Sequence, residues 1–288
     1  MLKYRVLALE GTLMSATNCI SPEKLARLIG TPSCPVIVDV RPDGNGLLPA
    51  SLRRPAESVS AWSRSLIGQK VVVTCVHGQE RSAGVAAILR SEGVEAETLE
   101  GGFAAWRTAG LPVVDEARLP QRDPAGRSVW VTRARPKVDR IACPWLIRRF
   151  VDPAAVFLFV SPADVAGVAE RFGATPFDVD GAFWSHRGEK CTFDTMVEDF
   201  GLTSIDALAR LALIVRGADT ARPEIAPQAA GLLAASLGLS RIYSDDLEQL
   251  NAGMLIYDAF YRWCRDAVDE THDWVSHKPR QARQPVDA

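Results

Sequence analysis

From residue 21 to residue 110 the chain alternates short apolar runs with amphipathic stretches. Ser21 followed by Pro22 and the spacing of LARLI predicts a helix, with Ser21 as its cap and proline in the first helical position. Lys24 stands where a capping box would want an acid, so that box is incomplete. PVIVDV (35–40) and QKVVVTC (69–75) are nearly continuous β-branched runs, the mark of strands covered on both faces. The segment between them opens with RPDGNGLLPASLRRP and is turn-rich. SAGVAAILRSEG (82–93) is an amphipathic helix ending at a glycine, VEAETLEGG a short strand and turn, and FAAWRTAG a short helix closed by Gly110. Strands joined by helices in this way predict a mostly parallel, three-layer α/β sheet.

Residues 114–129 are polar and carry two prolines and a glycine. The chain therefore divides into an α/β domain over 1–115, a linker over 116–128, a second domain over 129–274 and a polar tail, 275–288, expected to be disordered. The second domain has strand-like pieces at 128–134 and 156–160. Apolar residues then recur at three and four in 206–215, 226–239 and 246–264, which predicts a mainly α-helical, α+β domain.

A formal net charge of −2 conceals a gradient. Residues 1–120 carry 13 basic and 12 acidic groups, residues 121–150 carry 8 and 2, and residues 151–288 carry 12 and 21. Chain-wide nucleic-acid binding is therefore not expected, although a local basic strip exists. No run of 18 apolar residues predicts a membrane span. The start lacks the long uncharged core of a signal peptide, because Glu10 interrupts it. Six widely spaced cysteines do not make a disulfide scaffold, so a reducing cytoplasm is the expected location.

The sharpest chemical feature is Cys75-Val76-His77-Gly78-Gln79-Glu80-Arg81-Ser82, set between a buried strand and a helix. Strand ends that lead into helices are where open α/β sheets bind ligands. Backbone amides converging there, with a helix dipole behind them, hold an anion and favour the thiolate of Cys75. Arg81 offers paired donors to an oxyanion, and Gly78 permits unusual backbone geometry midway. The result is Cys-x5-Arg, a nucleophile in an anion cradle. The plain alternative is a buried cysteine that only packs, but the run turns polar immediately after Cys75. His77 and Glu80 have plain alternatives as solvent-facing loop residues.

Residues 18–115 resemble a rhodanese domain. The matching pieces are ISPEKLARLI, VIVDVR (36–41), the Cys75 loop and LEGGFAAWRTAGLPV (99–113), the last being the most specific. The resemblance implies a sulfurtransferase in which Cys75 carries a persulfide, the backbone of residues 76–81 binds the substrate, and Cys75 and Arg81 are the catalytic residues, Arg81 helping the loop amides hold the charge of the leaving sulfite. Its partners would be thiosulfate or another small sulfur-containing oxyanion and a thiol acceptor, with no cofactor required. Asp39 and Arg41 would form a structural pair. The Cys-to-Arg spacing is one residue longer than in the usual sulfurtransferase loop. It is similar to that of rhodanese-fold dual-specificity phosphatases and arsenate reductases, which keeps oxyanion reduction and phosphate-ester hydrolysis open. A non-enzymatic oxyanion sensor is the third alternative.

In the second domain Cys143 precedes Pro144, a residue suited to open a helix, so a lowered thiol pKa is expected there. His186 and Cys191 lie five apart in a polar, turn-rich segment. Cys143, His186 and Cys191, with Asp139 and Glu189 near, supply N, O and S ligands suited to zinc or iron. The alternative gives each a separate structural role. The basic strip, Arg133, Arg135, Lys137, Arg140, Arg148 and Arg149, would either attract an oxyanion or dock on the acidic helices. Residues 129–264 resemble the C-terminal domain of the chromate resistance protein family, which includes chromate-responsive regulators. The pieces that carry this are WVTRARPKVDRIACPWLIRRF (130–150), Asp152-Pro with VFLFV, FWSHRGEKCTF (183–193) and VRGAD (215–219). A rhodanese-like segment stands where those regulators bind DNA, so transcriptional regulation is not expected.

Overall fold

A computed structural model describes residues 18–271; the expected tail and the chain's first residues lie outside that range. Strands β1 (Cys19–Ile20), β2 (Val36–Asp39), β3 (Ser51–Arg53), β4 (Lys70–Thr74) and β5 (Glu95–Leu99) form one all-parallel sheet in the order β1-β5-β4-β2-β3. Helices α1 (Pro22–Leu28), α2 (Val59–Trp62), α3 (Glu80–Ser91) and α4 (Gly102–Thr108) cover it. Ser21 caps α1 by accepting from the Lys24 N–H. Alternate residues of the buried strands serve opposite faces. Ile37 and Val72 pack with Leu25 of α1 and with Phe103 and Trp106 of α4, whereas Val38, Val71 and Val73 pack with Val59 of α2 and with Val85 and Leu89 of α3. The α/β parallel sheet is thus as the sequence predicts. Two short strands have no clear sequence signal: β1, and β3 inside the turn-rich segment.

The second half holds a three-stranded parallel sheet of β6 (Val129–Arg133), β7 (Val156–Val160) and β8 (Thr175–Pro176), ordered β7-β6-β8. Around it lie α5 (Asp139–Leu146), α6 (Val165–Phe172), α7 (Thr192–Asp199), α8 (Asp206–Asp219), α9 (Ala229–Ile242) and α10 (Asp246–Asp266). Asp245 caps α10 through the Leu247 and Glu248 N–H groups. The largely helical character agrees with the sequence pattern, to which the structure adds α6, α7 and β8.

One continuous apolar core joins the two halves, running from Leu25, Ile29 and Trp106 to Phe150, Tyr257 and Tyr261. Gly30 lies at this junction with φ +79°, and a Cβ there would come within 2.3 Å of Phe150 and 2.8 Å of Tyr261. Across the same junction the Ala50 N–H donates to the Phe150 carbonyl, and Arg265 donates to the Arg27 carbonyl. Between β5 and β6, Arg118 pairs with Asp199 and Arg122 with Asp152.

Four of the six members of the basic strip pair internally, while Lys137 is exposed and Arg148 reaches Asn251. Arg133 and Arg140 meet Asp178, Arg135 meets Asp246, and Arg149 meets Asp258 at 2.7 Å while the Trp145 indole N–H donates to the same carboxylate. For those four arginines the docking alternative holds. One expectation is corrected here: Pro144 lies inside α5, which begins five residues earlier at Asp139. Cys143 is therefore mid-helix and fully buried. Burial, with Asp139 next in effect, pushes its thiol pKa well above the ordinary value rather than below it.

Candidate functional sites

The loop after β4 curls around the Cys75 sulfur. Ser82, in the first turns of α3, brings its hydroxyl to 3.1 Å from Sγ. Burial is the largest single influence on this thiol and raises its pKa. The Ser82 hydroxyl and the backbone N–H groups of Ser82, Gln79 and His77 together outweigh it, so the pKa lies below the ordinary value. These amides sit where α3 begins, so the helix dipole acts in the same direction. The loop is a thiolate cradle made of backbone. The side chains of Val76, His77, Gln79 and Glu80 face solvent.

Two glycines make the cradle possible. Gly78 has φ +70°, and a Cβ there would lie 2.5 Å from the Leu99 carbonyl oxygen. At Gly102, φ +60°, a Cβ would meet the Cys75 carbonyl and the Gly78 nitrogen, each at 2.5 Å. With no side chain in the way, the Phe103 and Ala104 N–H groups donate to the Cys75 and Val76 carbonyls at 2.9 Å. The LEGGFAAW segment is thus the buttress of the loop. Arg41 ties the far side: it pairs with buried Asp39 at 2.6 Å, donates to the Gly46 carbonyl and stacks on the Phe103 ring at 3.6 Å.

Arg81 stands at the rim. Its guanidinium pairs with Glu57 at 2.9 Å and reaches the Val40 carbonyl at 3.4 Å.

A second polar cluster lies between the starts of α5 and α7 and the end of α8. Asp139, His186 and Asp219 each offer a ligand atom, and these atoms lie within 4.8 Å of one another, so the group could coordinate a metal ion. Asp139 is fully buried; its Oδ2 accepts from the Thr192 N–H at 2.6 Å at the start of α7. Asp178 accepts from the Thr192 hydroxyl and meets Arg140 at 3.3 Å. The neighbouring Asp178 carboxylate, ahead of the fields of Asp139 and Asp219, pushes the His186 pKa up to about 9 against the effect of burial.

Of the residues that the sequence singles out in this half, the structure gathers His186, Asp139 and Arg140, and it adds Asp178 and Asp219. Cys143 and Cys191 are buried thiols whose pKa values burial raises. Glu189 is exposed and pairs with Arg222. In the sequence Asp219 stands out only as part of VRGAD; helical periodicity does not reveal that the end of α8 meets the start of α5.

Comparison with known proteins assigns both halves. A family model for the rhodanese-like domain matches residues 21–109, and one for the ChrB C-terminal domain matches residues 130–264. The chain fuses a rhodanese-like domain to a ChrB-type C-terminal domain. Protein ChrB of Cupriavidus metallidurans is 36% identical over 146 residues, which are 50% of this chain and 43% of that protein. The chain therefore spans less than half of that relative's length. Among solved structures, a rhodanese-like domain protein from Staphylococcus aureus is 31% identical over 31% of this chain and 90% of its own, with a TM-score of 0.28. A rhodanese-related protein from Thermoplasma volcanium is 26% identical over 34% of this chain and 97% of its own, with a TM-score of 0.30. No helix among the described residues is long and apolar enough to cross a membrane.

Proposed function

We propose that this protein is a sulfurtransferase that carries sulfur as a persulfide on Cys75, in the setting of chromate or oxyanion resistance. The observation that carries the reading is the cradle itself: a thiol held by three backbone N–H groups and the Ser82 hydroxyl, with its pKa lowered. In the first step the Cys75 thiolate attacks the outer sulfur of thiosulfate. An S–S bond forms to Cys75, the sulfur–sulfur bond of thiosulfate breaks, and sulfite leaves with the electron pair. The cradle that favoured the thiolate then holds the terminal persulfide anion. In the second step an acceptor thiolate or cyanide takes the outer sulfur and returns Cys75 to the thiolate.

The rival chemistry, oxyanion reduction or phosphate-ester hydrolysis, asks Arg81 to clamp a tetrahedral anion. The exposed ion pair between Arg81 and Glu57 is weak enough to yield to either anion, so the choice between the two chemistries rests on the reaction itself. Thiocyanate formation from thiosulfate and cyanide, lost in Cys75→Ser, is the expected result. Turnover of p-nitrophenyl phosphate or arsenate by the same cysteine, without thiocyanate, would transfer the assignment to the rival. The ChrB-type half supports placement in oxyanion resistance. A reducing cytoplasm suits the six cysteines, which form no disulfide among the described residues.

A further inference from the structure

We propose that Asp139, His186 and Asp219 bind one divalent first-row transition ion of the class that prefers mixed oxygen and nitrogen ligands, Mn2+, Fe2+ or Zn2+. This site is separate from Cys75 and does not depend on the sulfurtransferase reading.

The first argument is geometric. One nitrogen, His186 Nε2, faces three carboxylates: Asp219 at 3.1 Å, Asp178 at 3.6 Å and Asp139 at 3.7 Å. A hydrogen on that nitrogen points well at one of them only, whereas a cation among them serves all. With metal–ligand bonds of roughly 2.0–2.2 Å, ligand atoms about 3–4 Å apart are the normal spacing of such a site.

A second observation is independent of that spacing. Asp139 is 0% exposed, yet its Oδ1 has no hydrogen-bond partner while Oδ2 takes the amides at the start of α7. A buried carboxylate oxygen without a partner is costly, and a metal ligand is one of the few roles that satisfies it.

Charge gives the third argument. Arg133 and Arg140 are committed to Asp178. Among the described ion pairs Asp139 and Asp219 face His186 alone. With no arginine or lysine among their described ion pairs, these two carboxylates would both be met directly by a divalent ion.

The donor set selects the class of ion. Carboxylate oxygens with an imidazole suit Mn2+, Fe2+ and Zn2+ and disfavour soft Cu(I). Asp178 acts as a positioning residue, holding the Thr192 hydroxyl on one side and meeting His186 on the other. The side chain of His186 is 43% exposed and that of Asp219 is 18% exposed, so an ion has an entry path from solvent.

The test uses the full chain after chelator treatment and dialysis. Mn2+ is the first probe because buried thiols do not compete for it. Titration followed by calorimetry should show about one Mn2+ per chain. His186→Ala and Asp219→Asn should each weaken binding at least about tenfold, with circular dichroism unchanged, while Cys75→Ser binds as the parent does. Electron spin-echo spectroscopy of Mn2+ on the unmutated protein should report coupling to an imidazole nitrogen, a readout that needs no variant. Failure to bind Mn2+, Fe2+ and Zn2+ alike, binding unaltered by both substitutions, or bound Mn2+ without nitrogen coupling would each overturn the site. Loss of sulfur transfer in Cys75→Ser, or its absence, leaves this result untouched.

Discussion

The Ser82 hydroxyl lies 3.1 Å from the Cys75 sulfur and 3.1 Å from the Gln79 carbonyl oxygen. Its one hydrogen serves either acceptor. When Cys75 is a thiol, Ser82 donates to Gln79 and accepts from sulfur; when Cys75 is a thiolate, the hydrogen turns to the anion. Ser82→Ala removes that response while keeping the three amides. A hydrogen bond to a charged group contributes about 1.5–3 kcal/mol, so the Cys75 pKa should rise by about one to two units. The pH profile of iodoacetamide alkylation reads this directly: its midpoint lies below that of an ordinary thiol in the parent and moves upward in the variant. An unmoved midpoint would remove Ser82 from the cradle.

Gly102→Ala tests the buttress. It places a side chain against the Cys75 carbonyl and the Gly78 nitrogen in a left-handed backbone conformation. Left-handed geometry and overpacking together should cost about 2–4 kcal/mol. Thermal denaturation should fall by several degrees, and thiosulfate reactivity should fall more than stability alone explains, because the loop amides shift. Gly110→Ala is the control. It also has positive φ, but nothing lies within 4 Å of its Cβ position, so only the conformational cost remains.

Glu57 restrains Arg81 at the rim, and both are substantially exposed. Such a pair contributes at most about 1 kcal/mol. Glu57→Gln should therefore lower the KM for thiosulfate only about two- to fivefold with kcat unchanged, and Arg81→Ala should raise KM. An equal fall in kcat and kcat/KM for Arg81→Ala would place the guanidinium on the transition state instead.

A core shared by the two halves predicts one cooperative thermal transition, not two. Gly30→Ala, aimed at Phe150 and Tyr261, should lower that single transition. Calorimetry in which only one of two separate transitions moves would contradict the shared core.

Much of this is legible in the sequence where the signal is local. The β-branched runs mark β2 and β4, the Ser21-Pro22 pair marks the start of α1, and the polar run His77–Arg81 close behind Cys75 marks the loop. Cys143 misleads because proline opens helices more often than it sits within them; here α5 begins on Asp139, after Val138 at φ +36°. The Asp139, His186 and Asp219 cluster is only half visible, since its members are separated by 47 and 33 residues along the chain and meet only through packing of α5 against α7 and α8. Likewise, the docking of four arginines of the basic strip on Asp178, Asp246 and Asp258 is a tertiary fact that charge counts only suggest.

The central claim is that Cys75 accepts and holds sulfur. The reduced full chain, incubated with thiosulfate, desalted and measured by intact-mass spectrometry, should gain the mass of a single sulfur atom. That gain should disappear on treatment with cyanide, be absent in Cys75→Ser and persist when any other cysteine is replaced by serine. No added sulfur on the parent protein, or sulfur retained in Cys75→Ser, would contradict the account.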